Sequence, residues 1–257
     1  MNYRTLKLRR QGPAWHVQLN RPEAGNTIDA RMVGELEDVL GTLVPGSGAS
    51  ILVLEGQPEV FSLGADFGEI GAAAADGQGM AFDPQQLFGV LERLAFGDVI
   101  SVAHVRGKAH AGGVGLAAAC DVVLADASAV FSLSELLFGL APAVIFPFLL
   151  RRLGFQRAHY LASTTQPVGA RQACEWGLVD AFEERSDLLL ARHLSRMRRM
   201  PAAAVARYKA YVRELAALPA GTREAALRLS KAMFADPQSM AAIRRYAEQG
   251  LFPWETA

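Results

Sequence analysis

Phe61-Ser62-Leu63-Gly64-Ala65-Asp66 and Lys108-Ala109-His110-Ala111-Gly112-Gly113 each stand where a hydrophobic strand gives way to a helix. Ile51-Leu52-Val53-Leu54 leads through Val60-Phe61 into the first junction, and Ile100-Ser101-Val102-Ala103-His104-Val105 leads towards the second. The opening N–H groups of a helix have no partners inside it and carry the positive end of its dipole, so such junctions attract a negative oxygen. Gly64, Ala65, Gly112 and Gly113 are small enough for a ligand carbonyl to approach the backbone closely. Two donors converging from separate loops would stabilise the enolate of a thioester, because charge builds on that oxygen as an α-proton or α-carboxylate leaves.

Outward from these junctions the chain alternates strands and helices, an α/β pattern. Strands are expected at Tyr3 to Arg9, His16 to Leu19, Ile51 to Glu55, Ile100 to Val105, Val122 to Ala125 and Val179 to Phe182. Ala30 to Leu43 carries Met32, Val33, Leu36, Val39, Leu40 and Leu43 at helical spacing behind Asp29 as N-cap, and Leu87 to Phe96 is similar. Ala72 to Phe82 is small, glycine-rich and weakly periodic, which predicts a mobile loop over the pocket. From Ser186 onward the pattern is helical, broken near Pro201, Pro219 and Asp236-Pro237. The organisation is therefore a core over residues 1–200 followed by a helical region over residues 201–257.

A chain of 257 residues with 51% hydrophobic content can bury one sizeable core. Its formal net charge of zero lacks the broad basic excess of a nucleic-acid binder. Cys120 and Cys174 sit in apolar contexts without metal-ligand spacing and read as reduced, buried thiols. The first ten residues contain no apolar signal core, and no apolar run approaches membrane-spanning length, so a soluble cytoplasmic protein is expected.

The chain resembles the crotonase, or enoyl-CoA hydratase/isomerase, superfamily from about Tyr3 to its C-terminus. The resemblance is carried by Asn20-Arg21-Pro22-Glu23-Ala24, the two glycine junctions, Val105-Arg106-Gly107, Cys120-Asp121, Phe131-Ser132-Leu133-Ser134-Glu135 and Ala173-Cys174-Glu175-Trp176-Gly177-Leu178-Val179. It implies the crotonase fold: repeated ββα units in a spiral core, followed by a C-terminal helical trimerisation region. A homotrimer, or two trimers paired as a hexamer, would bury Val212, Leu215, Leu227, Met233 and Phe234. By the same resemblance the oxyanion donors fall on the N–H groups of Ala65 and Gly112. The Leu63 backbone, beside Gly64, falls where the family meets the adenine of coenzyme A. Typical hydratases carry two catalytic glutamates; here the first position is Gly115, and the second is Glu135. Leu133, Leu136, Leu137 and Phe138 around Glu135 indicate an apolar pocket that would raise its pKa.

Arg21 to Ile28, Ser132 to Leu140 and the terminal Phe252-Pro253-Trp254-Glu255 look like the crotonase-type dehydratases of polyketide β-branching cassettes. That likeness implies dehydration of a 3-hydroxy-3-methylglutaryl group on an acyl carrier protein to a 3-methylglutaconyl group. An enoyl thioester double-bond isomerase needs the same single glutamate and is the alternative. A partner glutaconyl decarboxylase fits less well with Glu135 retained, and a crotonase-fold scaffold or binding protein is the non-enzyme reading. No metal or redox cofactor is implied, since the substrate arrives as a phosphopantetheine or coenzyme A thioester. With Gly115 in place of a carboxylate, either Glu135 serves both proton transfers or an ordered water fills the vacant space.

Several residues admit a plainer reading. Gly113-Val114-Gly115-Leu116-Ala117-Ala118 matches a dinucleotide fingerprint, but Arg106 to Ala111 separate it from the strand. Asp66 reads as a helix-start carboxylate rather than a catalyst. His110 adjoins the second junction and is a candidate substrate contact. Lys108 and Arg106 are candidates for the substrate's distal carboxylate. Arg192, Arg196, Arg198 and Arg199 form either a solvated helix face or a dock for an acidic carrier protein.

Overall fold

A computed structural model describes residues 3–75 and 83–255. Strands β1 (Leu6–Gln11) and β2 (Ala14–Leu19) form an antiparallel hairpin. Beside them β3 (Ile51–Glu55), β5 (Ile100–Val105), β7 (Val122–Asp126) and β10 (Ala181–Glu183) add in parallel, giving a six-stranded sheet. A second, four-stranded sheet holds β4 (Val60–Ser62), β6 (Lys108–His110), β8 (Val130–Ser132) and β9 (Val168–Gly169) in that order. The chain thus passes repeatedly from a strand of the first sheet to a short strand of the second and then into a helix. This is the repeated ββα unit expected from the sequence.

The helices follow from capping and from apolar periodicity. In α1 (Ala30–Thr42) the Asp29 carboxylate accepts the Met32 N–H at 2.6 Å, while Met32, Val33, Leu36, Val39 and Leu40 are buried. Helix α2 (Phe67–Ala75) follows the first glycine junction, and α3 (Pro84–Phe96) is capped by Asp83. Helix α4 (Gly112–Ala119) follows the second junction and is buried almost throughout, which its run of small side chains permits. After it come α5 (Phe146–Thr164) and α6 (Ala170–Trp176). The last four helices are α7 (Ser186–Met197), α8 (Ala202–Leu215), α9 (Thr222–Phe234) and α10 (Pro237–Gln249). Their breaks fall at the expected prolines. Among the described residues no helix is long and apolar enough to cross a membrane.

Two expectations change. Residues 72–75, read as part of a mobile loop, belong to α2, and the rest of that segment, residues 76–82, lies outside the described residues. The strands of the second sheet, two or three residues each, were too short to show a period. The C-terminal helices share the core's hydrophobic cluster: Ala226 and Ile243 belong to it, and Leu227, Met233 and Phe234 pack against it. Leu215 stays exposed with Tyr208 and Tyr211 on one side of α8. Helix α7 packs on the opposite face of the six-stranded sheet, over Ile51, Val53, Val102 and Leu124.

Candidate active site

The two glycine junctions meet. Gly64 has φ +88°, and a Cβ built on it would lie 2.7 Å from the Ala111 Cβ and 3.1 Å from the Gly112 nitrogen. A Cβ on Gly112 would stand 3.9 Å from the Ala65 nitrogen. Any side chain at Gly64 would therefore wedge the loops apart. The register of the first loop is set by Ile28, whose N–H donates to Gly64 O at 2.7 Å and whose carbonyl accepts the Asp66 N–H at 3.2 Å. The Ala65 N–H between them, and the Gly112 N–H that opens α4, have no hydrogen-bond partner among the described residues. On the second loop Ala111 is held at φ +46° and ψ −115° by its own N–H bond to Ser132 O at 2.9 Å. A non-glycine residue in that region costs about 1–3 kcal/mol and persists only where its surroundings fix it.

A cavity of about 640 Å³ opens in front of these groups. Leu63, Ala65, His110, Gly112 and Glu135 line it together, so five of the sequence-derived site residues share one space. Glu135 follows β8 and starts a 3-10 turn over Glu135–Phe138 that ends at Gly139. Its Oε2 is buried and has no hydrogen-bond partner among the described residues. Burial pushes its carboxyl up to about 7, against the smaller opposing pull of its own and the Ser134 backbone N–H groups. A carboxyl poised there exchanges protons readily at neutral pH. The His110 imidazole, which also faces the cavity, is held below its usual pKa by burial and by Lys108.

Other expected residues lie elsewhere. Arg106 and Lys108 do not line the cavity. Arg106 turns to the α7 side, 3.5 Å from Asp187 and bonded to Gly56 O at 3.3 Å, while Lys108 is exposed on β6. None of Arg192, Arg196, Arg198 and Arg199 lines the cavity either: Arg192 pairs with Glu183 and Arg198 donates to Gln11. Asp66 does line it, but its oxygens accept from Arg21, Thr27 and the Glu69 N–H. Burial raises its pKa, and these bonds outweigh that and hold the carboxyl below its usual range, as suits a helix cap. Gly113 and Gly115 lie inside α4, where close packing accounts for them; a Cβ on Gly113 would stand 2.4 Å from Ser62 O. Among the described residues no three His, Cys, Asp or Glu side chains gather to hold a metal ion.

The position of the missing glutamate is filled. A Cβ on Gly115 would fall 2.2 Å from Ile145 Cγ2 and 2.6 Å from its Cβ. A side chain at this position, a second glutamate included, would collide with Ile145. The outer wall comes from the C-terminal helices, a contribution that sequence reading missed. Tyr246 and Phe252 line the cavity with Phe67 and Phe138, and Phe138 meets Tyr246 and Phe252 at ring centroid distances of 5.1 and 5.7 Å.

Known proteins share this fold. Residues 10–257 match the Enoyl-CoA hydratase/isomerase family model. The chain is 43% identical over 255 residues to the bacillaene synthase dehydratase PksH of Bacillus subtilis (strain 168), covering 99% of this chain and 98% of that protein. A crystal structure of pksH from Bacillus subtilis, described as a polyketide biosynthesis enoyl-CoA hydratase, superposes with a TM-score of 0.94 at 42% identity, covering 98% of this chain and all of that one. An enoyl-CoA hydratase from Mycobacterium avium subsp. paratuberculosis shares the fold with a TM-score of 0.83 at 22% identity, over the full length of both chains.

Proposed function

The chain belongs to the enoyl-CoA hydratase/isomerase family, and from that premise we propose that it is a polyketide-pathway dehydratase acting on 3-hydroxy-3-methylglutaryl held on an acyl carrier protein. The hydro-lyase class rests on its dehydratase and hydratase relatives. The observation that carries the mechanism is one buried carboxyl of raised pKa, Glu135, whose Oε2 accepts no hydrogen bond among the described residues and which shares a cavity with the Ala65 and Gly112 N–H groups. The Ala65 and Gly112 N–H groups bind the thioester oxygen and stabilise the enolate that forms when the C2–H bond breaks. Glu135 takes that proton. The C3–O bond then breaks, and Glu135 returns the proton to the departing hydroxyl, so that one water leaves and the carboxyl is reset. With Ile145 on Gly115, Glu135 performs both transfers.

The step draws on the carrier thioester and the backbone dipoles and calls for no metal or redox group. Among the described lining residues there is no Lys or Arg, so the distal carboxylate would be met by neutral donors such as His110 and Ser134. The same reading assembles the chain as a homotrimer and places it in the cytoplasm. Mass spectrometry of the carrier-bound 3-hydroxy-3-methylglutaryl thioester tests the reaction. Loss of one water is expected. An unchanged mass, with turnover of a 3-enoyl thioester instead, would identify an isomerase, and loss of carbon dioxide from 3-methylglutaconyl would identify a decarboxylase.

A further inference from the structure

Gly115 lies three residues after Gly112 on α4, a rise of about 4.5 Å. The wall over Gly115 therefore flanks the part of the acyl chain two carbons beyond the polarised carbonyl carbon. That wall is Ile145, only 4% exposed, with Val144 and Leu140 beside it in the lining. It offers no donor or acceptor to a hydroxyl. Where a two-glutamate hydratase would present a carboxylate to the oxygen at C3, this chain presents a branched hydrocarbon.

We propose that Ile145 seats the alkyl branch at C3, and so selects 3-alkyl-3-hydroxyacyl thioesters, which are tertiary alcohols, over their unbranched counterparts. The inference rests on the dehydratase reading. With the branch against Ile145, the hydroxyl turns away from the apolar wall and towards Glu135, the group that must protonate it. An unbranched substrate leaves the wall uncovered and the hydroxyl free to rotate out of reach. The van der Waals fit to a small alkyl group and the alignment of the leaving group are thus one contact.

The test compares three carrier-bound substrates, 3-hydroxyglutaryl, its 3-methyl and its 3-ethyl derivative, on the wild type and on the Ile145→Val and Ile145→Ala variants. Ratios of kcat/KM between substrates on the same protein cancel any loss of folded enzyme. One methylene in an apolar pocket is worth roughly 10- to 200-fold. The wild type should favour 3-methyl over unbranched by about tenfold or more. Ile145→Ala should shift the ethyl-to-methyl ratio upward by about as much, with Ile145→Val in between. Equal rates for methyl and unbranched substrates on the wild type, or ratios that do not move with residue 145, would overturn the proposal while leaving the dehydratase reading intact. If no substrate loses water on any of the proteins, the dehydratase reading falls, and the proposal with it.

Discussion

The Arg21 guanidinium lies 2.9 Å from Asp66 Oδ2 and 3.1 Å from Asp29 Oδ2, so one cation joins the carboxylates that start α2 and α1. Between those helix starts runs the Ile28 bridge that presents the Ala65 N–H to the cavity. Asp66 is thereby a positioning residue, its carboxyl held below the usual range by the bonds it accepts.

Asp66→Asn keeps an acceptor for the Glu69 N–H and loses the one that Arg21 and Thr27 share, without touching the cavity's proton chemistry. Turnover within a few-fold of wild type is expected, with an unchanged pH profile. Asp66→Ala should lose about 1 kcal/mol of stability, the usual worth of a helix cap, measured by urea unfolding. A hundredfold fall in kcat for a stably folded Asp66→Asn protein would instead make Asp66 a proton carrier.

Glu135 links activity and stability to pH in opposite directions. Its folded pKa of about 7 stands above the ordinary 4.5, so the folded protein holds a proton that the unfolded chain releases between those values. Stability is therefore highest below the lower value and falls as pH rises towards the upper one. At about 1.4 kcal/mol per unit, Glu135→Gln should gain up to roughly 3 kcal/mol over wild type near pH 8 and nothing near pH 4. Denaturant midpoints across that range check it. The wild-type kcat/KM should rise through about pH 7 as the base form appears; a flat profile would count against Glu135 as the base.

Lys209 on α8 is 2% exposed, with its ammonium 2.6 Å from both Asp121 oxygens and 2.9 Å from Ala95 O. Lys209→Met leaves Asp121 with Arg151 at 3.8 Å as its remaining cation and should cost up to about 3–5 kcal/mol. A Lys209→Met, Asp121→Leu double variant should recover most of that loss. If the single variant unfolds at the wild-type denaturant concentration, the pair does not anchor the C-terminal helices.

Tyr208, Tyr211 and Leu215 are exposed together on α8, and the expected homotrimer would cover them. Light scattering at micromolar concentration should give three times the chain mass, and Leu215→Glu should lower it. Monomers in the wild type would contradict that assembly.

The sites most legible in the sequence were those built from consecutive residues. Gly64-Ala65 and Ala111-Gly112 announce backbone donors because only small residues allow the approach, and Glu135 stands out as a carboxylate among Leu133, Leu136 and Phe138. What tertiary packing decides was not legible. Nothing local to Gly115 shows that Ile145 covers it, and nothing in Tyr246 or Phe252 shows that α10 brings them back over the cavity. Lys108 and Arg106 are near Gly112 in sequence, but exposure of Lys108 on β6 and pairing of Arg106 with Asp187 take both away from the pocket.

The central claim is that one carboxyl, Glu135, carries both proton transfers in front of the Ala65 and Gly112 N–H groups. Its most direct test is the rate of water loss from carrier-bound 3-hydroxy-3-methylglutaryl by wild type and by Glu135→Gln, followed by mass spectrometry alongside acyl-thioester binding. The account predicts that Glu135→Gln binds the thioester nearly as well and turns it over about 10²- to 10⁴-fold more slowly. Near-normal water loss by Glu135→Gln would contradict it.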